Sequence, residues 1–501
     1  MKRSLPNRRE FFKSSTLAGV GFWVVGTAAA AESNSPNGKI RFASIGVGGK
    51  GKEEAHDSAH FGDLVAICDI DDDVLGNIGD AHPKAKRFQD WRDLFDEMAK
   101  DIDAVTISTP DHSHAMIAAA AMRLGKHVYV QKPLTHTLYE ARTLAQIAQE
   151  TKVATQMGNQ GTAGSSLRKT AAMIKAGMLG PVTEVHVWTN RPIWPQGIPR
   201  GEEKPIPRAV HWKLFLGPAP YRPFADNYHP FNWRGWWDFG TGSLGDMACH
   251  TMNLPFMALD LRNPSSVQAE STGHNRDSYP SKSRVTYEFP ATIRPALKMF
   301  WYDGGVKPNH ELMAVFQETE TEKTPIDSKS DERKSDDRKS DGVQEDAKSA
   351  AVATADVRDD ESKSSDGKSS AVSRRHRANT VNSGAIIIGE KGKLYVPGDY
   401  GEGKIQLSGV DEIEADYIES PGHFAEWVRE IKGGAQATSN FPHYAVPLTE
   451  TVLLGNLAIW TATEPNTPGK KIEWDAKNLR ATNAPEVAEL IKREYHGGYT
   501  L

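Results

Sequence analysis

The sequence predicts an α/β protein. We expect an N-terminal doubly wound parallel sheet over residues 38–155, followed by a C-terminal α+β domain with a large open, mostly antiparallel sheet. Over residues 38–155, short apolar runs alternate with longer amphipathic stretches, which is typical of βαβ units. After residue 158, strand-like segments follow one another with fewer helices between them. The 501 residues are enough for two such domains.

The predicted strands of the first domain are four short apolar runs with helical stretches between them. These runs are IRFASI at 40–45, LVAICD at 64–69, AVTIST at 104–109 and HVYVQK at 127–132. Their length and apolar character predict buried parallel strands. In the second domain VTEVHVWTN, SRVTYEFP and ALKMFWYDG predict strands, and long helices are predicted over 245–259 and 448–462.

A segment of unusual composition interrupts the second domain. Lys-Ser-Asp recurs every five residues from Lys329 to Lys339, and residues 318–380 contain few large apolar side chains. Such a segment cannot bury enough apolar surface to offset its ordering entropy, so we predict a disordered insertion. Strand-like sequence on both sides, ending at ELMAVF and resuming at GAIIIG, places it in a surface loop. The C-terminal domain is therefore predicted to comprise residues 156–317 and 381–501.

The first residues have the pattern of a targeting signal. Arg8 and Arg9 precede an apolar run over 17–31, which ends in an A-x-A match that predicts cleavage before Glu32. This pattern predicts a twin-arginine signal peptide over residues 1–31 and a periplasmic mature protein. An uncleaved anchor or a cytosolic tail is the alternative. No other stretch approaches about 18 uninterrupted apolar residues, so no membrane span is expected after processing.

The charge balance and the cysteine content exclude several classes of partner. The formal net charge is −5 and the pI is about 6.4, so no global basic field points to nucleic acid or to an anionic membrane. The two cysteines, Cys68 and Cys249, are too few for a disulfide framework, and no metal-ligand spacing surrounds either of them. We therefore expect free thiols and no metal.

A glycine motif in the first domain predicts a dinucleotide site. Gly46, Gly48 and Gly51 have the G-x-G-x-x-G spacing and come directly after a predicted strand. In a Rossmann domain these glycines allow a tight turn, a close approach of backbone to a pyrophosphate, and close packing of helix on strand. Asp69 ends the next strand, where a carboxylate accepts hydrogen bonds from a ribose 2′-hydroxyl and repels a 2′-phosphate. Acidic residues follow it without a lysine or arginine beside them, which favours NAD over NADP.

Two further motifs hold groups suited to oxidation of an alcohol. Lys132 and Pro133 end a predicted strand, and the carboxyl ends of such strands border the ligand crevice, where an ammonium can stabilise an alkoxide. Asp246 and His250 are four residues apart and therefore lie on one face of a helix. Histidine is the natural proton acceptor near neutral pH, and a carboxylate nearby can orient it. By themselves, these motifs also fit a surface loop and a capped helix start.

Together, the glycine motif and the stretches STPDHSHAMIAAAAMRLGKHVYVQKPL and GSLGDMACH resemble the glucose–fructose oxidoreductase / inositol dehydrogenase / MocA (Gfo/Idh/MocA) family of nicotinamide-dependent enzymes. The resemblance runs from about residue 40 to the last residue and excludes the insertion. It implies that Lys132, Asp246 and His250 form the catalytic set. In that set His250 is the acid–base group, and Lys132 also contacts the cofactor.

The same resemblance implies further cofactor contacts. Pro110 and His114 are expected near the nicotinamide ribose, and the bond between Lys132 and Pro133 is expected to be cis. Gln131 stands where the family commonly has glutamate. We include Gln131 among the predicted cofactor-binding residues, with a weaker contact than a glutamate would make.

Tryptophans are concentrated between residues 188 and 237. Six of the twelve lie there, with polar side chains between them. Aromatic faces with polar edges suit a sugar ring, so as a set these residues predict a carbohydrate or cyclitol site. Each tryptophan taken singly fits a core position better. The predicted substrate-binding residues are Arg191, Trp194, His211, Trp236 and Trp237.

Three functions follow from these motifs. The first is an exported NAD-dependent oxidoreductase that transfers hydride between a sugar or cyclitol hydroxyl and a tightly held nicotinamide cofactor. The second is an NAD-dependent glycoside hydrolase, similar to family 109, which cleaves by transient oxidation and elimination and needs a further base from residues 211–229. The third is a non-catalytic sugar- or dinucleotide-binding protein, which the presence of Lys132, Asp246 and His250 disfavours. The open face of the second sheet predicts a homo-oligomer.

Overall fold

The computed structural model describes residues 38–292, 294–321 and 382–501, except for the side chains of 317–321. The predicted signal peptide and nearly all of the predicted insertion lie outside the described residues. Among the described residues, 38–316 and 382–501 belong to one compact unit, and residues 317–321 belong to a second. All elements of the candidate site belong to the first unit.

A six-stranded parallel sheet forms the N-terminal half, as the sequence predicts. Its strand order is β3-β2-β1-β4-β5-β6, the doubly wound arrangement of a Rossmann domain. The strands are β1 (Arg41–Ile45), β2 (Asp63–Cys68), β3 (Lys86–Phe88), β4 (Ala104–Ile107), β5 (His127–Val130) and β6 (Thr155–Met157). The sequence pattern did not predict β3 and β6, because three residues are too short for a distinct apolar run.

Five helices connect these strands, and most of them begin at a side-chain cap. They are α1 (Lys50–Phe61), α2 (Asp72–Ala81), α3 (Trp91–Met98), α4 (Asp111–Arg123) and α5 (Leu138–Thr151). Asp71 and Asp90 cap α2 and α3, and Thr137 forms a capping box with Glu140 at the start of α5. Helix α1 begins after Gly49 without a side-chain cap, so no side chain covers the positive end of its dipole.

A nine-stranded sheet forms the second half, and it is mostly antiparallel as predicted. Its order is β13-β12-β11-β7-β10-β9-β8-β14-β15, and among the described strands of this sheet only β7 and β10 pair in parallel. Its strands are β7 (Val182–Trp188), β8 (Ser266–Ser271), β9 (Ser283–Phe289), β10 (Leu297–Tyr302), β11 (Gly384–Gly389), β12 (Lys393–Pro397), β13 (Gln406–Ser408), β14 (Ile472–Asp475) and β15 (Arg480–Ala481).

The second half also contains helices. They are α6 (Ser165–Lys175), α7 (Trp212–Leu216), α8 (Gly242–Thr251), α9 (Asn253–Leu259), α10 (His310–Thr321), α11 (His423–Ile431), α12 (Val446–Thr461) and α13 (Ala488–Ile491). Helix α12 packs against α5, α8, β8 and β9, and thus joins the two halves in one core. The only charged residue of α12 is Glu450, which forms an ion pair with Arg142 of α5.

Two elements differ from the sequence prediction. The helix predicted over 245–259 is divided into α8 and α9, because Pro255 lacks an N–H and its ring clashes with the preceding turn of a continuous helix. The segment ELMAVF lies in helix α10 and not in a strand. Leu312 and Phe316, four residues apart, belong with Trp188 of β7 to one apolar cluster on the outer face of the large sheet.

The two cysteines and the hydropathy of the helices can also be compared with the sequence prediction. Cys68 and Cys249 are both buried and free, as predicted. Within residues 38–292, 294–321 and 382–501, no helix combines the length and the apolar character that crossing a membrane requires.

Candidate functional site

A cavity of about 610 Å³ follows the carboxyl ends of the parallel strands and continues to α8. It is lined by the loops after β1, β2, β4 and β5, and by residues of the second half. In doubly wound sheets this edge is where ligands bind. The predicted cofactor and catalytic residues that line it are Gly46, Gly48, Asp69, Pro110, His114, Gln131, Lys132, Asp246 and His250.

Two glycines of the motif are required by the backbone itself. Gly46 has φ +77°, and a Cβ there would lie 2.7 Å from the carbonyl carbon of Ser108. A Cβ on Gly51 would lie 1.9 Å from the carbonyl oxygen of Gly46, so only glycine lets α1 pack on the turn. At Gly48 the nearest atom to a Cβ is 3.4 Å away, on Val74, and the residue faces the cavity.

The start of α1 suits a pyrophosphate. Gly48, Gly49 and Lys50 line the cavity at the uncapped N-terminus of this helix. The positive end of the helix dipole favours an anion there. Gly46 N–H donates to the carbonyl oxygen of Cys68 at 2.8 Å, which holds the glycine loop beside the end of β2.

Asp69 lies at that end and faces the same cavity. Its carboxylate accepts hydrogen bonds from the N–H groups of Val47 at 2.8 Å and Asp71 at 3.0 Å. Burial raises the pKa of Asp69 to about 6 despite these hydrogen bonds. No lysine or arginine within the described ranges forms an ion pair with Asp69. The site therefore fits a ribose with a free 2′-hydroxyl and disfavours a 2′-phosphate.

Lys132 is fixed by the start of α8. Its Nζ donates to the carboxylate of Asp246 at 2.9 Å and to the main-chain carbonyl of Asp246 at 2.6 Å. The Lys132–Pro133 bond is cis, as the resemblance implies. Arg234 Nε donates to the same carboxylate at 3.2 Å. Burial alone would raise the pKa of Asp246, but the charges of Lys132 and Arg234 outweigh it and lower the pKa to about 2.

His250 lies one turn after Asp246 and lines the cavity, although it is only 3% exposed. Its Nδ1 is buried and has no hydrogen-bond partner within the part of the chain that the structure describes. Burial, together with the nearby charge of Lys132, lowers the pKa of His250 well below its ordinary value. The ring is thus a neutral imidazole able to accept a proton.

The structure corrects one expected role. Asp246 does not orient His250 by a hydrogen bond, because both Lys132 and Arg234 occupy its carboxylate. Asp246 is therefore a positioning residue for the Lys132 ammonium. In place of a carboxylate, the ring of Tyr400 packs against His250 at 4.7 Å between centroids, with the planes at 70°.

Gln131 is part of a buried polar network under the cleft. Its side-chain amide donates to Glu54, and its Oε1 accepts from the Lys132 N–H at 3.3 Å. Glu54 also accepts from the Ser108 hydroxyl, and burial raises the pKa of Glu54 to about 7. A glutamate at position 131 would place two carboxylates in contact, so the amide is the complementary partner here.

His114 and Asp111 lie at the start of α4, which follows Pro110. The two ring nitrogens of His114 face the carbonyl oxygens of Thr109 and Pro133 at 2.8 and 2.9 Å, and burial lowers the pKa of His114 to about 4. Asp111 was not predicted from the sequence. It accepts from the Thr241 hydroxyl at 2.6 Å, and burial raises the pKa of Asp111 to about 7.

Of the five predicted substrate-binding residues, Arg191 lines the cavity and the other four do not. Trp236 is fully buried in an aromatic core within residues 210–239, and Trp237 stacks on Tyr279 at 3.7 Å. His211 lies at the surface, 3.1 Å from the carboxylate of Asp72. These side chains satisfy their polar atoms or bury their rings within the fold, so we do not include them in the site.

Trp194 lies behind the cavity wall. It is 5% exposed, and the guanidinium of Arg234 lies 5.9 Å from its ring. That guanidinium is also 4.3 Å from the ring of Trp233 and 4.6 Å from that of Phe231. The tryptophan-rich stretch thus positions Arg234 and presents Phe231, which is 42% exposed, to the cleft.

Sequence reasoning missed Tyr400 and Phe231, the more exposed aromatic residues of the cleft. Tyr400 is in the loop between β12 and β13, and it is 38% exposed. Its place in the chain, beyond residue 380, offers no local signal of contact with His250. Phe231 lies within YHPFNWRGW. The close spacing of aromatic residues there could have indicated Phe231, but the prediction considered only the tryptophans.

Comparisons with known proteins identify the two domains of the chain. A sequence model for an oxidoreductase family with an NAD-binding Rossmann fold matches residues 40–159, and the model for its C-terminal alpha/beta domain matches residues 163–298. The chain thus has an NAD-binding Rossmann domain.

Curated relatives match over part of the chain. A glycosyl hydrolase family 109 protein from Solibacter usitatus is 29% identical over 193 residues, which are 35% of this chain and 44% of that protein. A levoglucosan dehydrogenase from Pseudarthrobacter phenanthrenivorans is 28% identical over 189 residues, which are 35% of this chain and 40% of that protein. The chain therefore spans less than half the length of these relatives.

Among solved structures, the WlbA dehydrogenase from Bordetella pertussis in complex with NADH and UDP-GlcNAcA is similar, with a TM-score of 0.52 and 15% identity. The match covers 86% of this chain and 98% of that one. At this identity the likeness shows the fold alone.

Proposed function

Because the chain belongs to the Gfo/Idh/MocA family of NAD-binding oxidoreductases, we propose that it transfers hydride between a sugar or cyclitol hydroxyl carbon and a nicotinamide bound in the cleft. One observation carries the proposal. Lys132 and a neutral His250 face the same cavity as the glycine loop and Asp69. NAD, when bound, supplies the hydride acceptor, and the protein supplies the proton acceptor and the positive charge.

The proton chemistry follows from the states of the two side chains. The His250 imidazole accepts the hydroxyl proton of the substrate, because burial keeps this ring neutral and the residue lines the cavity. The Lys132 ammonium stabilises the alkoxide that forms as the proton leaves. Asp246 holds that ammonium in place, so Lys132 does not have to reorganise during the reaction.

The surface around these groups fits a polyol. The rings of Phe231 and Tyr400 offer apolar faces for the C–H face of a sugar, and Arg191 and Arg234 offer donors to its hydroxyls. The relative from Pseudarthrobacter phenanthrenivorans is a levoglucosan dehydrogenase, which supports the same substrate class.

Glycoside cleavage is the second candidate, and Tyr400 favours it. In this reaction a hydroxyl is oxidised to a ketone, the neighbouring C–H loses its proton, the aglycone leaves, water adds, and the hydride returns. A second proton-transfer group is needed, and the ring of Tyr400 packs against that of His250. His229, from the stretch that the sequence favoured, lies 3.6 Å from Asp71 and thus toward the Asp69 end. The family 109 name of the Solibacter usitatus relative supports this candidate.

We also propose export by the twin-arginine route, with a cofactor that stays bound between turnovers. The support is the Arg8-Arg9 pair before an apolar run. A compartment outside the cytoplasmic membrane offers little NAD to replace a cofactor that is lost. A homo-oligomer, formed through the large sheet, stays a prediction.

The test is incubation of the purified protein and NAD with free sugars, cyclitols and aryl glycosides. The near-ultraviolet absorbance of reduced nicotinamide and the release of the aryl group are followed together. Reduced nicotinamide without aryl release supports the oxidoreductase, and catalytic aryl release without net reduction supports the hydrolase.

Two variants check the residues behind the proposal. His250→Ala should lose at least about 100-fold in turnover, as expected for a general base, while still binding NAD. His60→Ala, at an exposed position on α1, is the matched control and should leave turnover unchanged. Full activity of His250→Ala would refute the proposed role.

A further inference from the structure

The Asp69 end of the cleft has a wall that neither the glycine motif nor the catalytic motifs supply. The N–H of Asp69 donates to the carbonyl oxygen of Phe88 at 3.1 Å, so the chain that leaves β3 lies beside Asp69. Gln89 and Trp91 of that chain line the cavity, and Tyr499 lines it with them. The ring of Tyr499, more than 400 residues from the glycine loop in sequence, therefore borders the Asp69 end of the cleft. We call this the adenosine end, because Asp69 is the residue assigned to the adenosine ribose.

Several contacts fix the ring of Tyr499. Its centroid lies 6.3 Å from that of Trp91, and the guanidinium of Arg92 lies 5.1 Å from it. The Tyr499 N–H donates to the carbonyl oxygen of His496 at 3.1 Å. Burial raises the pKa of Tyr499, so the phenol is neutral. The ring is thus an apolar face held in a defined place.

The segment that carries this ring, residues 493–499, is tied to both sides of the cleft. Arg493 forms an ion pair with Glu140 of α5 at 2.8 Å and donates to the carbonyl oxygen of His112 at 2.5 Å. The His496 N–H donates to the carbonyl oxygen of Pro218 at 3.0 Å. Segment 493–499 therefore has tethers on the parallel-sheet domain and on the second half.

The second tether leads to the opposite wall of the same cavity. Pro218 follows α7, and Leu214, Phe215 and Gly217 line the cavity with it. The N–H of His211 donates to the carbonyl oxygen of Ile70 at 2.9 Å, which holds this stretch against the loop after β2. The adenosine end is thus enclosed by two segments that are hydrogen-bonded to each other.

We propose that Tyr499 is a cofactor-binding residue that covers the adenosine half of NAD, and that segment 493–499 retains the nucleotide between turnovers. A planar aromatic face beside Trp91 is complementary to an adenine ring, and base–aromatic contacts contribute substantially to nucleotide binding. Dissociation of the nucleotide requires this segment to move away from Pro218. The inference rests on the NAD-binding domain and is independent of the substrate at His250.

The test measures cofactor retention, not turnover. The full-length protein is loaded with NADH, passed through a desalting column, and mixed with excess NAD while the fluorescence of bound NADH is followed. Tyr499→Ala should release NADH about 5- to 100-fold faster than the unchanged protein, from the usual contribution of one base–aromatic contact. Tyr499→Phe keeps the ring and should retain NADH.

Two further variants separate the alternatives. Tyr221→Ala removes a tyrosine that is 77% exposed and does not line the cleft, so its release rate should not change. His496→Pro removes the N–H that bonds Pro218 and should accelerate release even with Tyr499 intact. Release of NADH from Tyr499→Ala and from His496→Pro at the unchanged rate would overturn the proposal. If Tyr499→Ala does not fold, the rates of NADH release from His496→Pro and Tyr499→Phe decide whether the proposal holds.

Discussion

The ion pair between Asp246 and Lys132 allows a quantitative prediction for Asp246→Asn. The pKa of Asp246 falls from its ordinary value of 3.8 to about 2 in the folded protein. At about 1.36 kcal/mol for each pKa unit, this difference corresponds to about 2 kcal/mol of stability near pH 7. The side chain is 13% exposed, so solvent screens the interaction little. Asparagine keeps the shape of the side chain and removes its charge. The free energy of unfolding of Asp246→Asn should therefore be lower by this amount than that of the unchanged protein.

The stabilisation by the Asp246 carboxylate depends on pH. Because the folded-state pKa lies below the unfolded-state pKa, the stabilisation is fully present above about pH 4 and is lost as the pH falls toward about 2. The gap in stability between the unchanged protein and Asp246→Asn should therefore be constant between about pH 5 and 8, and should shrink by about 1 kcal/mol by pH 3.

Thermal unfolding across this pH range is the assay. For a chain of this size, a loss of about 2 kcal/mol lowers Tm by about 2 °C. Asp80→Asn is the matched control, because its ion pair with Arg87 at 2.8 Å is at the surface, with the Asp80 side chain 80% exposed. It should change Tm by less than about 1 °C, since exposed pairs contribute little. A Tm loss in Asp246→Asn that did not vary with pH, or no loss at all, would refute the electrostatic account.

Three further predictions concern the cofactor and export. Gly51→Ala should abolish NAD binding, because the added Cβ meets a backbone oxygen at 1.9 Å. Gly76→Ala is the control: it adds a Cβ in open space on another helix and should bind NAD normally. Isothermal titration calorimetry measures both. Asp69→Ala should weaken NAD binding about tenfold and reduce the preference for NAD over NADP, since one or two hydrogen bonds and the repulsion of a 2′-phosphate are lost; an unchanged preference would contradict the assigned role. Substitution of both Arg8 and Arg9 by lysine should leave the protein in the cytoplasm, as measured by cell fractionation, and export of that variant would contradict the twin-arginine signal.

The parallel sheet and its nucleotide loop were predictable because their signals are local. Gly46 requires a positive φ, Gly51 packs on the carbonyl oxygen of Gly46 five residues before it, and Asp69 is placed by the length of a single strand. Alternation of apolar runs with amphipathic stretches depends only on neighbouring residues. The short strands β3 and β6 were not predicted, because three residues are too few to show this alternation.

The substrate side was less predictable because aromatic residues serve both cores and sites. Trp236 and Phe231 lie five residues apart, yet the first is fully buried and the second is 42% exposed. Nothing in their local sequence separates them. The distinction arises because residues 210–239 form a small aromatic core that takes up Trp236 and leaves Phe231 at the cleft.

The sequence by itself determined the doubly wound sheet and the dinucleotide loop, because each depends on spacing within one or two elements, whereas Lys132 and His250 were singled out through the resemblance to a family. Only the tertiary structure decided that Asp246 holds Lys132, that Tyr400 packs on His250, and that Tyr499 lines the same cavity as Asp69. These contacts join segments separated by more than 100 residues. Their partners are chosen by strand order and helix packing across the whole core, and no local pattern records that choice.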